Sequence, residues 1–334
     1  MRTAPAFWAE PPGLLADLLL PIGAAWDAAG RLRRVLSRPY RPSIPVICVG
    51  NLVAGGAGKT PVAAALASDL AARGTAVHVV TRGYGGRLGG PVRVDPARHD
   101  AAQIGDEALL LAVHAPCWVA RDRAAGVRAA TAADARAVVL DDGFQNPAIA
   151  KTLSLVVVDA AYGFGNCRVI PAGPLRESLA RGLARADALV LLGTEVETNG
   201  SRPSQIGECL PVFPAVLSPV DGKRLAGSRL LAFAGIGWPE KFFATLRALG
   251  AELVGARPFP DHHRFRTREI EQLLREAERA QARLVTTAKD IVRVPPTRRP
   301  GIEVLEVAVR WCDPDAVAAL IKRVLSNQCP SGLA

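Results

Sequence analysis

The sequence predicts an α/β fold: a doubly wound, mostly parallel sheet, a second and smaller α/β unit after it, and an amphipathic helix ahead of it. Three observations carry this. The stretch Pro45 to Leu66, PVICVGNLVAGGAGKTPVAAAL, reads as a buried strand, a glycine-rich loop and a helix start. Short β-branched runs then alternate with longer segments of helical spacing as far as Leu192. The text turns irregular between Gly193 and Gly227, and the alternation restarts beyond it.

From Phe7 to Trp26 the apolar residues Leu14, Leu15, Leu18, Leu19, Ile22 and Trp26 recur near helical spacing, with Trp8 at the start and Pro21 expected to kink the helix. Arg31, Arg33, Arg34, Arg38 and Arg41 follow, and no acidic residue stands between Asp27 and Asp69. Two readings stay open for this first segment, 1–42: a helix lying in a membrane interface, or one that packs its stripe on the sheet.

The second segment, 43–225, begins with strand Val46 to Val49, ended by Gly50 and Asn51. The expected order is then helix Pro61 to about Arg73, strand Val77 to Thr81, helix from about Asp106 to His114, and strand Cys117 to Ala120. Helix Ala124 to Ala133, strand Ala137 to Leu140, strand Leu153 to Val158, a helix near Glu177 to Arg185 and strand Ala188 to Leu192 complete it. Asn199-Gly200, Pro203, Pro211, Pro214, Pro219 and Asp221-Gly222 mark a hinge near 193–225. The third segment, 226–334, holds strand Leu230 to Ala234, helix Pro239 to Leu249, a helix from about Thr267 to Ala282, strands Arg283 to Thr286 and Ile302 to Val307, and helix Asp313 to Leu325.

At 334 residues, 49% hydrophobic and 22% charged, the composition is globular and long enough for two domains. The net charge of +10 is carried by 35 arginines against 6 lysines, and with only 5% aromatics no base-stacking platform for nucleic acid emerges. Cys48, Cys117, Cys167, Cys209, Cys312 and Cys329 form no C-x-x-C pair and read as buried, reduced thiols. Neither a signal peptide nor a spanning helix fits the N-terminal stretch, which points to a cytoplasmic protein.

The chemistry is concentrated in the glycine loop. Gly55, Gly56 and Gly58 remove side chains where backbone N–H groups approach phosphate oxygens, and Lys59 and Thr60 open a helix whose N-terminal dipole favours anions. Lys59 is placed to reach the β and γ phosphates and Thr60 to offer its hydroxyl to Mg²⁺, while Pro61 sits in the first turn, where its missing N–H costs nothing. This is G-x-x-x-x-G-K-[ST] with Val53 in place of the first glycine, so the sheet is of the P-loop NTPase type.

Ala137 to Leu140 deliver Asp141-Asp142-Gly143 to a strand end, either as metal-binding partners of Thr60 or as caps of a turn. Asp106 reads as a helix N-cap or as a carboxylate that takes a hydroxyl proton. Asp261-His262-His263 has an acid beside histidines, an arrangement that tunes a proton acceptor. A GTPase switch fits poorly, because Asp141-Asp142-Gly143 is not D-x-x-G and Thr287-Ala288-Lys289-Asp290 lacks the [NT]-K-x-D order. A kinase acting on some other small-molecule hydroxyl remains the alternative.

Gly50 to Pro61, Thr81 to Gly86, Gly105-Asp106-Glu107, Arg121-Asp122-Arg123, Asp141 to Gln145, Pro171 to Glu177, Phe233 to Gly237 and Phe259 to His262 together resemble the tetraacyldisaccharide 4'-kinase family of lipid A biosynthesis, in order and over nearly the whole chain. The resemblance implies transfer of the γ-phosphoryl group of ATP, with Mg²⁺, to the 4'-hydroxyl of a lipid A disaccharide 1-phosphate, giving the bisphosphorylated precursor. It implies a peripheral protein on an anionic surface, the cytoplasmic face of the inner membrane, and no nucleic-acid partner.

By that similarity Asp106 accepts the sugar hydroxyl proton, His262 tunes or relays it, and Lys59 offsets phosphate charge. Asn51, Gly55, Gly56, Ala57, Gly58, Lys59, Thr60 and Pro61 hold the nucleotide, and Thr60, Asp141, Asp142 and Glu177 serve the metal. Arg82, Tyr84, Arg121, Asp122, Gln145 and Arg176 meet the substrate. Because His262 and Asp106 fall in different segments, the hinge is expected to close over ATP. Three positions depart from the family pattern: Asn146 stands where His is usual, Ala288 where Glu is frequent, and Cys167 where Gly is expected.

Overall fold

The computed structural model describes residues 5–194, 198 and 210–326. Part of the predicted hinge, with Asn199-Gly200 and Pro203, and also Cys209 and Cys329, lie outside the described residues.

The main unit is a nine-stranded sheet. In chain order its elements are β1 (Val46–Gly50), α3 (Lys59–Ala72), β2 (Val77–Thr81), β3 (Val92–Arg93), α4 (Ala101–Ile104), α5 (Asp106–Ala112), β4 (Cys117–Val119), α6 (Arg123–Ala132), β5 (Ala137–Asp141), β6 (Leu153–Asp159), α7 (Leu179–Leu183), β7 (Ala188–Gly193) and β8 (Val212–Pro219). They follow a 3-10 turn, Ala6–Trp8, and two helices, α1 (Leu14–Leu18) and α2 (Leu20–Leu36). The strand order is β13-β8-β7-β6-β1-β5-β2-β4-β3, where β13 (Val307–Trp311) comes from the far end of the chain. Pairing is parallel except at the two edges, β3 with β4 and β13 with β8.

β1 explains the architecture. Ile47 and Val49 face one side and pack with Val62 and Leu66 of α3, while Val46 and Cys48 face the other and pack with Val127 of α6. Both faces are covered, so the strand is apolar throughout, as parallel strands must be. The connection direction reverses at β1, with β5 on one side and β6 on the other, and this opens a crevice at the strands' carboxyl ends.

A four-stranded, all-parallel sheet, β10-β9-β11-β12, forms the second unit. It consists of β9 (Arg229–Ala234), α8 (Pro239–Ala248), β10 (Glu252–Pro258), α9 (Thr267–Arg279), β11 (Arg283–Thr287), α10 (Ala288–Ile291) and β12 (Ile302–Leu305). Leu230, Ala232 and Ala234 pack on one face and Leu231 and Phe233 on the other.

Four expectations need correction. The predicted strand Ile302 to Val307 is two strands, one in each sheet, and α11 (Pro314–Ser326) buries Val317, Leu320, Ile321 and Val324 in the main core. The third segment therefore returns to the first sheet instead of staying in the smaller unit, because Glu306 is the point where the chain leaves one sheet edge for the other. The proline-bearing stretch Val212–Pro219 is a strand, β8, paired with β7 on one side and β13 on the other, instead of part of a hinge. Pro21 does not kink a helix but stands in the first turn of α2, with the break at Leu19. Among the thiols, Cys48 and Cys117 are buried, but Cys167 is half-buried and Cys312 exposed.

The N-terminal helices bind the body through polar groups and leave their apolar groups outside. Trp8 Nε1 donates to Pro171 O at 3.0 Å, Trp26 Nε1 to Arg176 O at 3.3 Å, and Ser178 N to Asp27 Oδ1 at 3.1 Å. Leu15, Leu18, Ile22, Leu32 and Leu36 are exposed, Leu14 at 78% and Val35 at 82%. No described helix is long and apolar enough to cross a membrane.

Trp311 shows how firmly the returning segment is held: it is buried in the main core and its Nε1 donates to Asp69 Oδ2 at 2.9 Å. Trp311→Ala is expected to cost about 3–5 kcal/mol in urea unfolding of the nine-stranded unit. A loss confined to the four-stranded unit would contradict this placement.

Candidate functional site

The loop after β1 is built as a cradle. Gly58 is the N-cap of α3 with φ +80°, and a Cβ there would lie 2.2 Å from Leu192 Cδ2, so only glycine fits. Gly55 has φ +122° and open space before it. Asn51, fully buried, braces the loop by donating its Nδ2 to Val53 O at 2.8 Å. Lys59 folds back over the loop, its Nζ 3.2 Å from Asn51 Oδ1 and 3.8 Å from Asp142 Oδ2. Burial lowers its pKa, and Asp142 opposes that.

Val53, the departure from the glycine pattern, has a structural reason. It is buried and bridges Leu175, while Ala54 N donates to Pro174 O at 2.7 Å and Arg176 N to Leu52 O at 2.8 Å. The first half of the cradle is thus a short backbone ladder against 174–176, where a side chain packs and a glycine would forfeit it.

Asp141 ends β5 beside Val49 of β1, and Asp142 follows with φ +48°. Asp141 is fully buried; Thr81 Oγ1 donates to its Oδ2 at 3.2 Å, while its Oδ1 has no partner. Burial, then Glu107 and Asp142, push its pKa up to about 7. Asp142 differs: burial would raise it, but Lys59 and Arg176, the latter 2.9 Å away, hold it below the usual carboxylate value. The turn-cap alternative for this pair has no hydrogen bond to support it, since the aspartate oxygens meet Thr81, Lys59 and Arg176.

Asp106 is not the N-cap of α5; Gly105 is, and Asp106 is the first helical residue. Its Oδ2 meets His262 Nδ1 at 3.2 Å and accepts from Arg293 Nε at 2.8 Å and Nη2 at 2.5 Å. Burial would raise the Asp106 pKa, but the His262 hydrogen bond and the Arg293 charge outweigh it and hold the carboxyl well below the usual range. The same hydrogen bond raises the pKa of His262 against its burial. Tyr84 lies beside them, its ring centroid 5.5 Å from that of His262.

The other expected residues divide. Gln145 donates Nε2 to Asn51 O at 2.8 Å and Arg176 reaches Asp142, so both organise the cradle. Arg82 is exposed. Asp122 caps α6, accepting from Ala124 N and Ala125 N, and Arg121 donates to the carbonyls of Gly86 and Arg87. The buried carboxylate of Glu177 lies 3.1 Å from Arg34 and 2.5 Å from Arg185 and accepts from Gln145, so two guanidiniums balance its charge.

The contacts of three arginines escaped the sequence reading: Arg34, named there only in the basic cluster, pairs with Glu177; Arg123, named only within the resemblance, is buried and feels the charge of Asp141 and Asp142; and Arg293 pairs with Asp106. In an arginine-rich chain, composition does not single these contacts out.

Comparison with known proteins adds an independent finding. A family model described as "Tetraacyldisaccharide-1-P 4'-kinase" matches residues 15–326. A tetraacyldisaccharide 4'-kinase of Rhodospirillum centenum is 54% identical over 340 residues, covering 99% of each chain. One of Rhodospirillum rubrum is 51% identical over 330 residues, 98% of this chain and 99% of its own. Among solved structures, an "apo" form of LpxK from Aquifex aeolicus in complex with ATP matches with TM-score 0.76 and 26% identity, covering 93% of this chain and all of that one.

The Asp106–His262 contact has a pH window. A depressed Asp106 stabilises the fold above the ordinary 3.8 and loses that contribution as pH falls through its lower folded value. A raised His262 stabilises below the ordinary 6.5 and loses it as pH rises through its higher folded value. Urea midpoints across this range are therefore expected to be highest between the two values, and His262→Asn is expected to remove the alkaline decline.

Proposed function

The chain belongs to the tetraacyldisaccharide-1-P 4'-kinase family, and from that premise we propose how its own residues carry the reaction. It is a lipid A 4'-kinase: ATP is the co-substrate and tetraacyldisaccharide 1-phosphate the acceptor. The observation that supports the residue roles best is the glycine loop with Lys59 Nζ 3.8 Å from Asp142 Oδ2, beside Asp141, whose buried Oδ1 lacks a partner at the end of the neighbouring strand.

The backbone N–H groups of Gly55 to Lys59 receive the β and γ phosphates, and Lys59 offsets charge that grows on them in the transition state. Arg176 keeps Asp142 in place, and Arg123 and Lys59 balance the aspartates. Mg²⁺ fits the residues present, because the buried Oδ1 of Asp141 lacks a partner and Thr60 follows Lys59 on α3. Asp141 and Thr60 would hold it, with Asp142 near, and it would supply positive charge that offsets the phosphates.

Asp106 takes the proton of the 4'-hydroxyl as that oxygen bonds to the γ phosphorus and the bond to ADP breaks. His262 stabilises the acceptor carboxylate from the second unit. Tyr84 and exposed Arg82, after β2, line the approach of the sugar.

The N-terminal helices bring the enzyme to its lipid at the cytoplasmic face of the inner membrane. A tetraacyl lipid is retained by about 0.8 kcal/mol per buried methylene, so it stays in the bilayer. The exposed leucines of α1 and α2 enter the interface, and exposed Arg31, Arg33, Arg38 and Arg41 each add roughly 1 kcal/mol near anionic lipid.

Two measurements test these roles. With γ-labelled ATP and tetraacyldisaccharide 1-phosphate in detergent micelles, wild type is expected to label the lipid and Lys59→Ala to lower kcat on the order of 100-fold; ATP consumption without lipid labelling would remove the acceptor. Serine at Leu14, Leu18 and Ile22 together is expected to abolish sedimentation with anionic vesicles while micellar activity persists. Unchanged sedimentation would return the helices to a purely structural role.

A further inference from the structure

The segment Thr287 to Arg293 carries a buried polar network of the smaller unit that also reaches across to the start of α5. Thr287 ends β11 and caps α10, accepting from Asp290 N, and its Oγ1 donates to Asp290 Oδ2 at 2.7 Å. Asp290 is fully buried and receives Gly235 N on Oδ1 at 3.0 Å. Arg293 Nη1 donates to Gly235 O at 2.7 Å and lies 3.2 Å from Asp290 Oδ1. The guanidinium is thereby fixed at one edge by its own unit.

Its other edge crosses to the first unit. Nε and Nη2 both end on Oδ2 of Asp106, with side-chain exposures of 3% and 5% for the two residues. Four residues earlier in the chain, Lys289 Nζ lies 3.4 Å from Glu107 Oε1. Two consecutive acids at the start of α5 each meet a cation of the second unit. Arg264 adds a third crossing, donating to Gly85 O at 3.0 Å.

We infer that Arg293 is a positioning residue for proton transfer: it fixes Oδ2 of Asp106, leaves Oδ1 for the acceptor hydroxyl, and makes that orientation depend on the second unit being docked. The inference rests on the kinase reading and on Asp106 as proton acceptor. A guanidinium suits the task because its planar fork holds the carboxylate on one side and Gly235 and Asp290 on the other, where an ammonium would reach one. Every polar contact of Asp106 among the described residues falls on Oδ2. The groups that set its charge are His262 and, behind it, Asp261 from the loop after β10; Arg293, Asp290 and Lys289 from α10 and its exit; and Glu107 on its own helix.

The test is the pH dependence of lipid phosphorylation by full-length wild type, Arg293→Met and Arg293→Lys in micelles, with KM for ATP measured in parallel. Removing the cation leaves a buried carboxylate that protonates more readily, so the acid limb of kcat for Arg293→Met is expected at least one pH unit above that of wild type, with kcat at neutral pH down about 100-fold and KM for ATP unchanged. Arg293→Lys keeps the charge without the fork, so its limb is expected near that of wild type with kcat still reduced; it carries the test if Arg293→Met does not fold. A reduced kcat in Arg293→Met with an unmoved limb, or wild-type kcat in Arg293→Lys, would overturn the positioning role. If wild type itself leaves the lipid unlabelled, it is the kinase reading that falls.

Discussion

Asp106 is a buried carboxylate whose Oδ2 is shared by Arg293 and His262, and both of these come from the other sheet. A charge removed from water this far is tolerated only when paired and hydrogen-bonded. The ion group therefore does two things at once. It keeps Asp106 ionised, as the proposed role of proton acceptor requires, and it ties the smaller unit to the crevice at the carboxyl ends of the larger sheet. The pairs Lys289–Glu107, Arg264–Gly85 and Lys241–Asp159 lie along the same seam. Chemistry and architecture depend on one contact.

The cradle depends on a second, quieter set of contacts. Its loop pairs with 174–176, and the chain from Arg176 to Ser178 also meets Trp26, Asp27 and Arg34 from α2. Glu177 is the hub: Arg34, Arg185 and Gln145 converge on it, and Gln145 continues to Asn51 of the cradle. The helix proposed to meet the lipid surface is thus fastened by polar groups to the segment that shapes the nucleotide loop. An amphipathic helix normally buries its apolar stripe, and here the polar side faces inward and the stripe faces out.

Much of this was legible in the sequence because it depends on local chemistry. A parallel strand buried on both faces has to be continuously apolar, so β1, β2, β5, β6 and β7 announce themselves. The cradle is legible because Gly58 is needed by both its dihedral and the nearness of Leu192. What stayed hidden depends on partners distant in the chain. The pairing of Glu177 with Arg34 and Arg185 joins residues far apart in the chain and has no mark in the sequence. Nothing between Ile302 and Trp311 marks Glu306 as the crossing between two sheets, since no turn residue separates the two strands. Arg293 meets Asp106 across 187 positions, a separation that no periodicity reports.

The central claim is that the two units share one proton-transfer device, and a double-mutant cycle measures that sharing directly. Phosphoryl transfer to the lipid would be compared among wild type, Asp106→Asn, His262→Asn and the double variant, with ATP binding measured separately. The account predicts that ATP binding persists in all four and that the double variant is no slower than Asp106→Asn alone, because His262 acts through the carboxylate that is already gone. Independent losses, with the two single effects multiplying in the double variant, would show that His262 and Asp106 do separate work.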